Sequence, residues 1–204
     1  MVHGYHVVFG TYGFWLPNDQ RGSWSDFVGR WELRLQGPAT KGVECPNLSA
    51  EQIEWQSRTK SKLKYPEVFF NGQQALAVSR GFRNAITKSD FTIWACSVLP
   101  QHVHLVIARH RFKVEYIAGL LKGEASKELK RLGIHPLARF KDKLGDPPTP
   151  WNVKSYRGFL ESEQEIEDAI NYVIENPLKE GKPRQDWSFV TAFGGLDPGF
   201  TAYR

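Results

Sequence analysis

Cysteine is scarce in this chain of 204 residues, which carries only Cys45 and Cys96. No C-x-x-C spacing is present, so neither a zinc knuckle nor a disulfide scaffold is indicated, and two lone thiols suit a reducing compartment. Long apolar runs are also lacking. No stretch approaches the roughly 18 apolar residues a membrane helix needs. The opening MVHGYHVVFGTYGFW has no basic segment followed by a long apolar one, as a secretory leader would. The expectation is a cytoplasmic protein that neither spans a membrane nor is exported. No internal repeat is visible. What is present is ordinary globular composition with seven Trp, enough chain for one domain with a sizeable core, and too little for two comfortable ones.

The formal net charge is +5 and the pI about 9.2, a balance that favours an anionic partner. The excess is local. From Arg109 to Arg157 there are twelve Lys or Arg against five Asp or Glu, while the remainder is nearly balanced. A solvated helix face explains such a run as well as a nucleic-acid surface does.

Tyr5 to Tyr12 alternates and is rich in Val, Phe and Tyr, which predicts a first strand ending near Gly13. Residues 15 to 48 hold no period and read as a long loop or insertion. Ser49 and Gln52 make an S-x-x-Q capping box for a helix running to about Lys64, and a second helix is expected from about Gln73 to Thr87. Phe91 to Leu99 is a nearly continuous apolar run, the pattern of a buried strand, stopped by Pro100. Val103 to Ala108 follows as its hairpin partner. Val114, Ile117, Ala118, Leu121, Ala125, Leu129 and Leu132 recur at helical spacing, with Gly133 placed to cap the end.

Lys141 to Pro150 reads as an extended connector, and Val153 to Leu160 as a last strand. Ser162 and Glu165 form an S-x-x-E box opening a helix with Ile166, Ala169, Ile170 and Val173 on one face, which Pro177 is expected to end. This order of elements predicts an α+β chain: a ferredoxin-like antiparallel sheet with packed helices, an N-terminal insertion over about 15–72 and an extra C-terminal helix. The domain is expected to span 1–184, with 185–204 as a tail.

Two constellations carry chemistry. In QHVHLVIA, strand alternation sends His102 and His104 to one face while Val103, Leu105 and Ile107 go to the other. The imidazoles would stand about 6.6 Å apart along the strand, within reach of one divalent ion. An H-x-H pair is as often structural, but here the opposite face already supplies the core. In NYVIENPLKEG, Tyr172 and Asn176 are four residues apart and share a side of the last helix, at the edge of its apolar stripe. On the residues alone, a half-buried packing tyrosine and an asparagine before a proline make the better-fitting reading.

The stretches YHVVFGTYGFWLP, LPQHVHLVI and AINYVIENPLKEG, in this order from Tyr5 to Gly181, resemble the blocks of REP-associated tyrosine transposases and the wider single-tyrosine HUH transposase family. The middle block matches the family's two histidines around a hydrophobic residue, and the last its catalytic helix. By position, the resemblance implies Tyr172 as nucleophile and His102, His104 and Asn176 as ligands of Mg²⁺ or Mn²⁺. It also implies nicking and rejoining of single-stranded or hairpin DNA through a 5′-phosphotyrosine link, by a monomer or homodimer at a bacterial nucleoid. Lys122, Lys127, Lys130 and Arg131 are candidate contacts to the DNA backbone, with a wet helix face as the alternative. Residues 15–72 are longer than the simplest members of the family have there.

A histidine-triad nucleotide hydrolase also carries an alternating-His strand, but it needs a nucleophilic histidine where Val106 stands. A domesticated or inactive DNA-hairpin-binding protein is the second alternative, against which the intact His102, His104 and Tyr172 argue.

Overall fold

The strand rich in Val, Phe and Tyr, β1 (Gly4–Gly10), lies inside a four-stranded sheet of order β2-β3-β1-β4, completed by β2 (Ile93–Val98), β3 (His102–Ala108) and β4 (Tyr156–Leu160). Every neighbouring pair is antiparallel. Among the described residues four helices accompany it: α1 (Ala50–Lys60), α2 (Gly72–Ser89), α3 (Val114–Arg131) and α4 (Glu163–Lys179). The computed structural model describes residues 1–16, 18, 19, 33, 35, 37–40 and 48–196. Cys45 and most of the expected 15–48 loop lie outside the described residues. The strand order with α2 and α3 as crossovers is the ferredoxin-like α+β arrangement, and α4 is the extra C-terminal helix. No helix among the described residues is long and apolar enough to cross a membrane.

The sheet divides the core in two because strand side chains alternate. Val7 and Phe9 of β1 and Val103, Leu105 and Ile107 of β3 face α2 and α3, packing with Val78, Phe82, Ile117 and Leu121. Val106 and Ala108 point the other way, onto Ile166, Ala169 and Val173 of α4. In β2 the register shifts between Ile93 and Ala95, and one extra residue reverses the alternation there. Trp94 therefore joins the α4 side, while Cys96 and Val98 join the α2/α3 side. Burial pushes the Cys96 thiol well above its usual range, so it is inert packing. The α2–α3 contact is close enough to require glycine: a Cβ on Gly81 would lie 2.5 Å from Ala125 Cα.

The element ends refine the expectations. Ser49 and Gln52 do form a reciprocal capping box, yet α1 stops at Lys60 instead of reaching Lys64. Gly133, at φ +69°, follows the end of α3 as expected. Residues 153–155 precede β4, which starts only at Tyr156. Ser162 accepts from the Glu165 amide, but the Glu165 carboxylate accepts from Glu161, one residue outside the expected box. Pro177 does not end α4. The helix continues to Lys179 with Pro177 in its last turn, where the missing amide donor costs only one bond and Gly181, at φ +65°, completes the exit.

Residues 185–196, the described part of the expected tail, run along β2. Gln185 both donates to and accepts from the Val98 backbone, at 2.8 Å each way, and the Thr191 amide donates to Ile93 O at 2.9 Å. Trp187, Phe189 and Val190 pack on one core and Phe193 and Leu196 on the other.

Candidate functional site

β1 and β3 pair with Val8 opposite His104 and Gly10 opposite His102, so the site forms where the apolar α4 face gives way to polar side chains. His102 and His104 stand on the α4 side with ring centroids 4.9 Å apart and planes at 76°, closer than strand spacing alone predicts. α4 lays Tyr172 over them. Its ring meets His104 edge-on at 5.5 Å and His6, from β1, at 5.6 Å. Asn176, one turn further along α4, is buried at 7% exposure, while Tyr172 keeps 44% of its surface in solvent. The two histidines, the tyrosine and the asparagine are therefore gathered on one side of the sheet, with His6 of β1 beside them.

Burial dominates the electrostatics. Desolvation holds His102 down to about 4. The same cause, added to by His102 and His6, holds His104 down to about 3. Both rings are neutral at pH 7. Phe14 stacks on His102 at 5.0 Å and 7°, and it can do so because Gly10 has no side chain: a Cβ there would lie 3.0 Å from the Phe14 ring. Glu180 Oε1 lies 3.5 Å from His102 Nε2, and Lys179 Nζ sits 4.9 Å from the centre of the Tyr172 ring.

A divalent ion fits this donor set. His102 Nδ1 and Ser97 Oγ are buried without hydrogen-bond partners, and Ser97 is paired with His104 across β2 and β3. Unsatisfied polar atoms of this kind are uncommon inside a protein. Among the described residues no group of three or more His, Cys, Asp or Glu side chains is arranged to hold a metal. The buried donors that the sheet brings together here are therefore the two imidazoles, with Asn176 buried on the adjoining helix.

The basic candidates are placed differently. Lys122 is not on a wet face. Its ammonium donates to Asn152 O, Val153 O and Ser155 Oγ at 2.8, 3.3 and 3.1 Å and lies 5.0 Å from the Phe9 ring centre, and burial pulls its pKa down to about 8. The pattern of α3 could not reveal this, since the connector that covers Lys122 is remote in sequence. Lys127 pairs with Glu124, Lys130 with Asp146, and Arg131 with Glu128, each at 2.7 Å. Three of the segment's cations are thereby held in internal ion pairs, while its net positive excess is unchanged.

Eight chains of solved structures resemble this one, among them two transposases. A REP-associated tyrosine transposase bound to a REP hairpin aligns with a TM-score of 0.47 and 12% identity, over 92% of this chain and 74% of that one. A proposed transposase from Deinococcus radiodurans R1 aligns with a TM-score of 0.37 and 14% identity, over 86% and 91% respectively. No family model matches the sequence, and no curated protein does.

Sequence reasoning missed His6, Phe14, Lys179 and Glu180. His6 was visible in principle: in an alternating strand it shares a face with Val8, but its partner His104 is 98 residues away. Lys179 and Glu180 lie inside the NPLKEG block, where the pattern gives them no role of their own. Val106 is fully buried in the α4-side core, so no third histidine extends the β3 row.

Proposed function

We propose that this protein is a metal-dependent single-stranded DNA endonuclease and strand transferase of the single-tyrosine HUH type, with Tyr172 as nucleophile. The observation that carries the reading is the packing of the half-exposed Tyr172 ring edge-on against His104, which itself adjoins His102. A tyrosine outside such a group would face no activating chemistry.

His102, His104 and Asn176 would hold Mg²⁺ or Mn²⁺. When bound, that ion supplies Lewis-acid polarisation of the scissile phosphate. Tyr172 keeps its phenol at the solvent edge, where a phosphodiester can reach it. Its oxygen forms a bond to phosphorus as the bond from phosphorus to the 3′-oxygen breaks. The phenolic proton balances the charge on the leaving 3′-oxygen, giving a 5′-phosphotyrosine and a free 3′-hydroxyl. Because one phosphoester is exchanged for another, the reverse attack by a 3′-hydroxyl rejoins strands without a nucleotide cofactor. Lys179, beside the Tyr172 ring, favours the approach of an anionic strand. Phe14 covers one face of His102 and excludes water from it.

Substrate is single-stranded or hairpin DNA, whose splayed bases can stack on aromatic side chains. The test is incubation of the full chain with a single-stranded oligonucleotide library and Mn²⁺, followed by denaturing recovery of protein with DNA attached. Covalent adducts that depend on the ion are expected. Protein that binds the library but never becomes covalently joined to it would leave a hairpin-binding protein as the better reading.

A further inference from the structure

β1 carries His6 opposite Val106 in the same register that sets Val8 opposite His104. Both histidines emerge toward α4. His6 Nε2 lies 3.2 Å from His104 Nδ1, and the two rings are inclined by only 24°, so the two imidazoles share a hydrogen bond. A neutral imidazole has one N–H and one bare nitrogen. Placing the shared proton therefore also decides which nitrogen of His104 is free. If His6 donates, His104 accepts at Nδ1 and carries its own proton on Nε2, leaving no lone pair outside the bond. If His104 donates from Nδ1, its Nε2 is an open ligand. His6 Nε2 is engaged with His104 Nδ1, so that nitrogen faces the neighbouring imidazole and not open space.

We propose that His6 is a positioning residue: it accepts the Nδ1–H of His104 and so holds His104 in the tautomer that offers Nε2 to a metal. The fold restrains His6 for this task. Its ring is held between Tyr156, at 6.2 Å and 84°, and Tyr172, at 5.6 Å and 68°. The same ring thus touches the side chain of the candidate nucleophile and hydrogen-bonds a candidate ligand. A hydrogen bond to the second ring nitrogen is the usual means by which a protein fixes a metal-binding histidine.

The inference rests on the metal-site reading of His104, but the tautomer is a property of the protein before any ion is added. Long-range ¹H–¹⁵N correlation spectra of the full chain with labelled histidine, metal-free, report it directly, with His104 identified by its loss in His104→Gln. Wild type is expected to carry the proton on Nδ1 of His104. His6→Phe, which fills the space without an acceptor, is expected to move it toward Nε2. His6→Gln supplies an amide oxygen and is expected to restore Nδ1–H. Mn²⁺ affinity, measured by electron paramagnetic resonance, is expected to fall about 10- to 100-fold in His6→Phe and to recover in His6→Gln, with circular dichroism unchanged throughout. An Nε2–H tautomer in wild type that nevertheless binds Mn²⁺ overturns the role of His6 alone. Wild-type affinity and tautomer in His6→Phe do the same. An Nδ1–H wild type that binds no Mn²⁺ overturns the metal-site reading and, with it, this role.

Discussion

The Tyr172 ring meets the His104 imidazole edge-on, their centroids 5.5 Å apart at 67°. Neither residue is near the other in sequence, and they meet because α4 packs Ile166, Ala169 and Val173 against the same sheet face that carries the histidines. The hydrophobic stripe of the helix thus sets the position of the tyrosine at its edge. Replacing Tyr172 with Phe removes one oxygen and preserves that packing. Stability is expected to change by less than about 1 kcal/mol, DNA binding to survive, and covalent adducts to vanish. Peptide mass spectrometry of the wild-type adduct should find the nucleotide on the peptide containing Tyr172. Tyr156, whose ring also borders His6, is the control: an adduct surviving in Tyr172→Phe and absent in Tyr156→Phe would reassign the nucleophile.

His102→Ala and His104→Ala are each expected to abolish cleavage, as is chelation of divalent ions. The fold should persist because Val103, Leu105 and Ile107 hold β3 from the opposite face. His104 is more deeply buried and its truncation should cost on the order of 1–3 kcal/mol, read from thermal unfolding. Undiminished cleavage in both variants would remove the histidines from the chemistry.

Lys122 makes a pH-dependent contribution whose sign follows from its burial. Its folded pKa, about 8, lies below its ordinary value of 10.5, so the folded chain holds this proton less tightly than the unfolded one. The cost of burying the charge is present in full below about pH 8 and fades as pH rises toward 10.5. Wild type should therefore gain stability relative to Lys122→Met across that window, measured by denaturant unfolding at each pH. A pH-independent difference would mean that Lys122 titrates normally.

Lys127 and Lys130 test whether ion-paired cations still serve DNA. Each is partly exposed and already bound to a carboxylate. Reversal of both to Glu is expected to weaken DNA binding and to flatten its salt dependence by about one unit of log–log slope for each phosphate no longer neutralised. Unchanged affinity and slope would confine both lysines to their internal pairs.

Much of this arrangement was legible in the sequence because its signals are local. The period of Val114 to Leu132, the buried run ending at Pro100 and the H-x-H alternation each depend on neighbours a few residues apart. The same alternation that sends Val103 and Leu105 to one core sends His104 to the other face. What was not legible depends on partners remote along the chain. His6 acquires meaning only when β1 pairs with β3. Lys122 sits on a helix whose pattern marks it as solvated, yet Asn152, Val153 and Ser155 come over it. Pro177 reads as a stop because it lacks a donor, whereas one missing bond in the last turn is tolerated. The interaction of 185–196 with β2 is likewise long-range and follows no period.

That last segment bears on how the protein behaves in a crowded solution. The outer side of β2 is the margin of the sheet, and a margin in water offers unpaired amides and carbonyls to any other extended chain. Here Gln185 saturates both backbone groups of Val98, and Thr191 takes Ile93 O, while Phe193 shields Trp94 at 4.8 Å. Residues 185–196 act as a guard rail against self-association. Cutting the chain at 184 would strip Phe193 and Leu196 from the α4 side of the core, along with the Leu196 amide that donates to Glu163, and uncover an adhesive strand, so loss of activity on such a trimming would report loosened packing and clumping before it reported anything about catalysis.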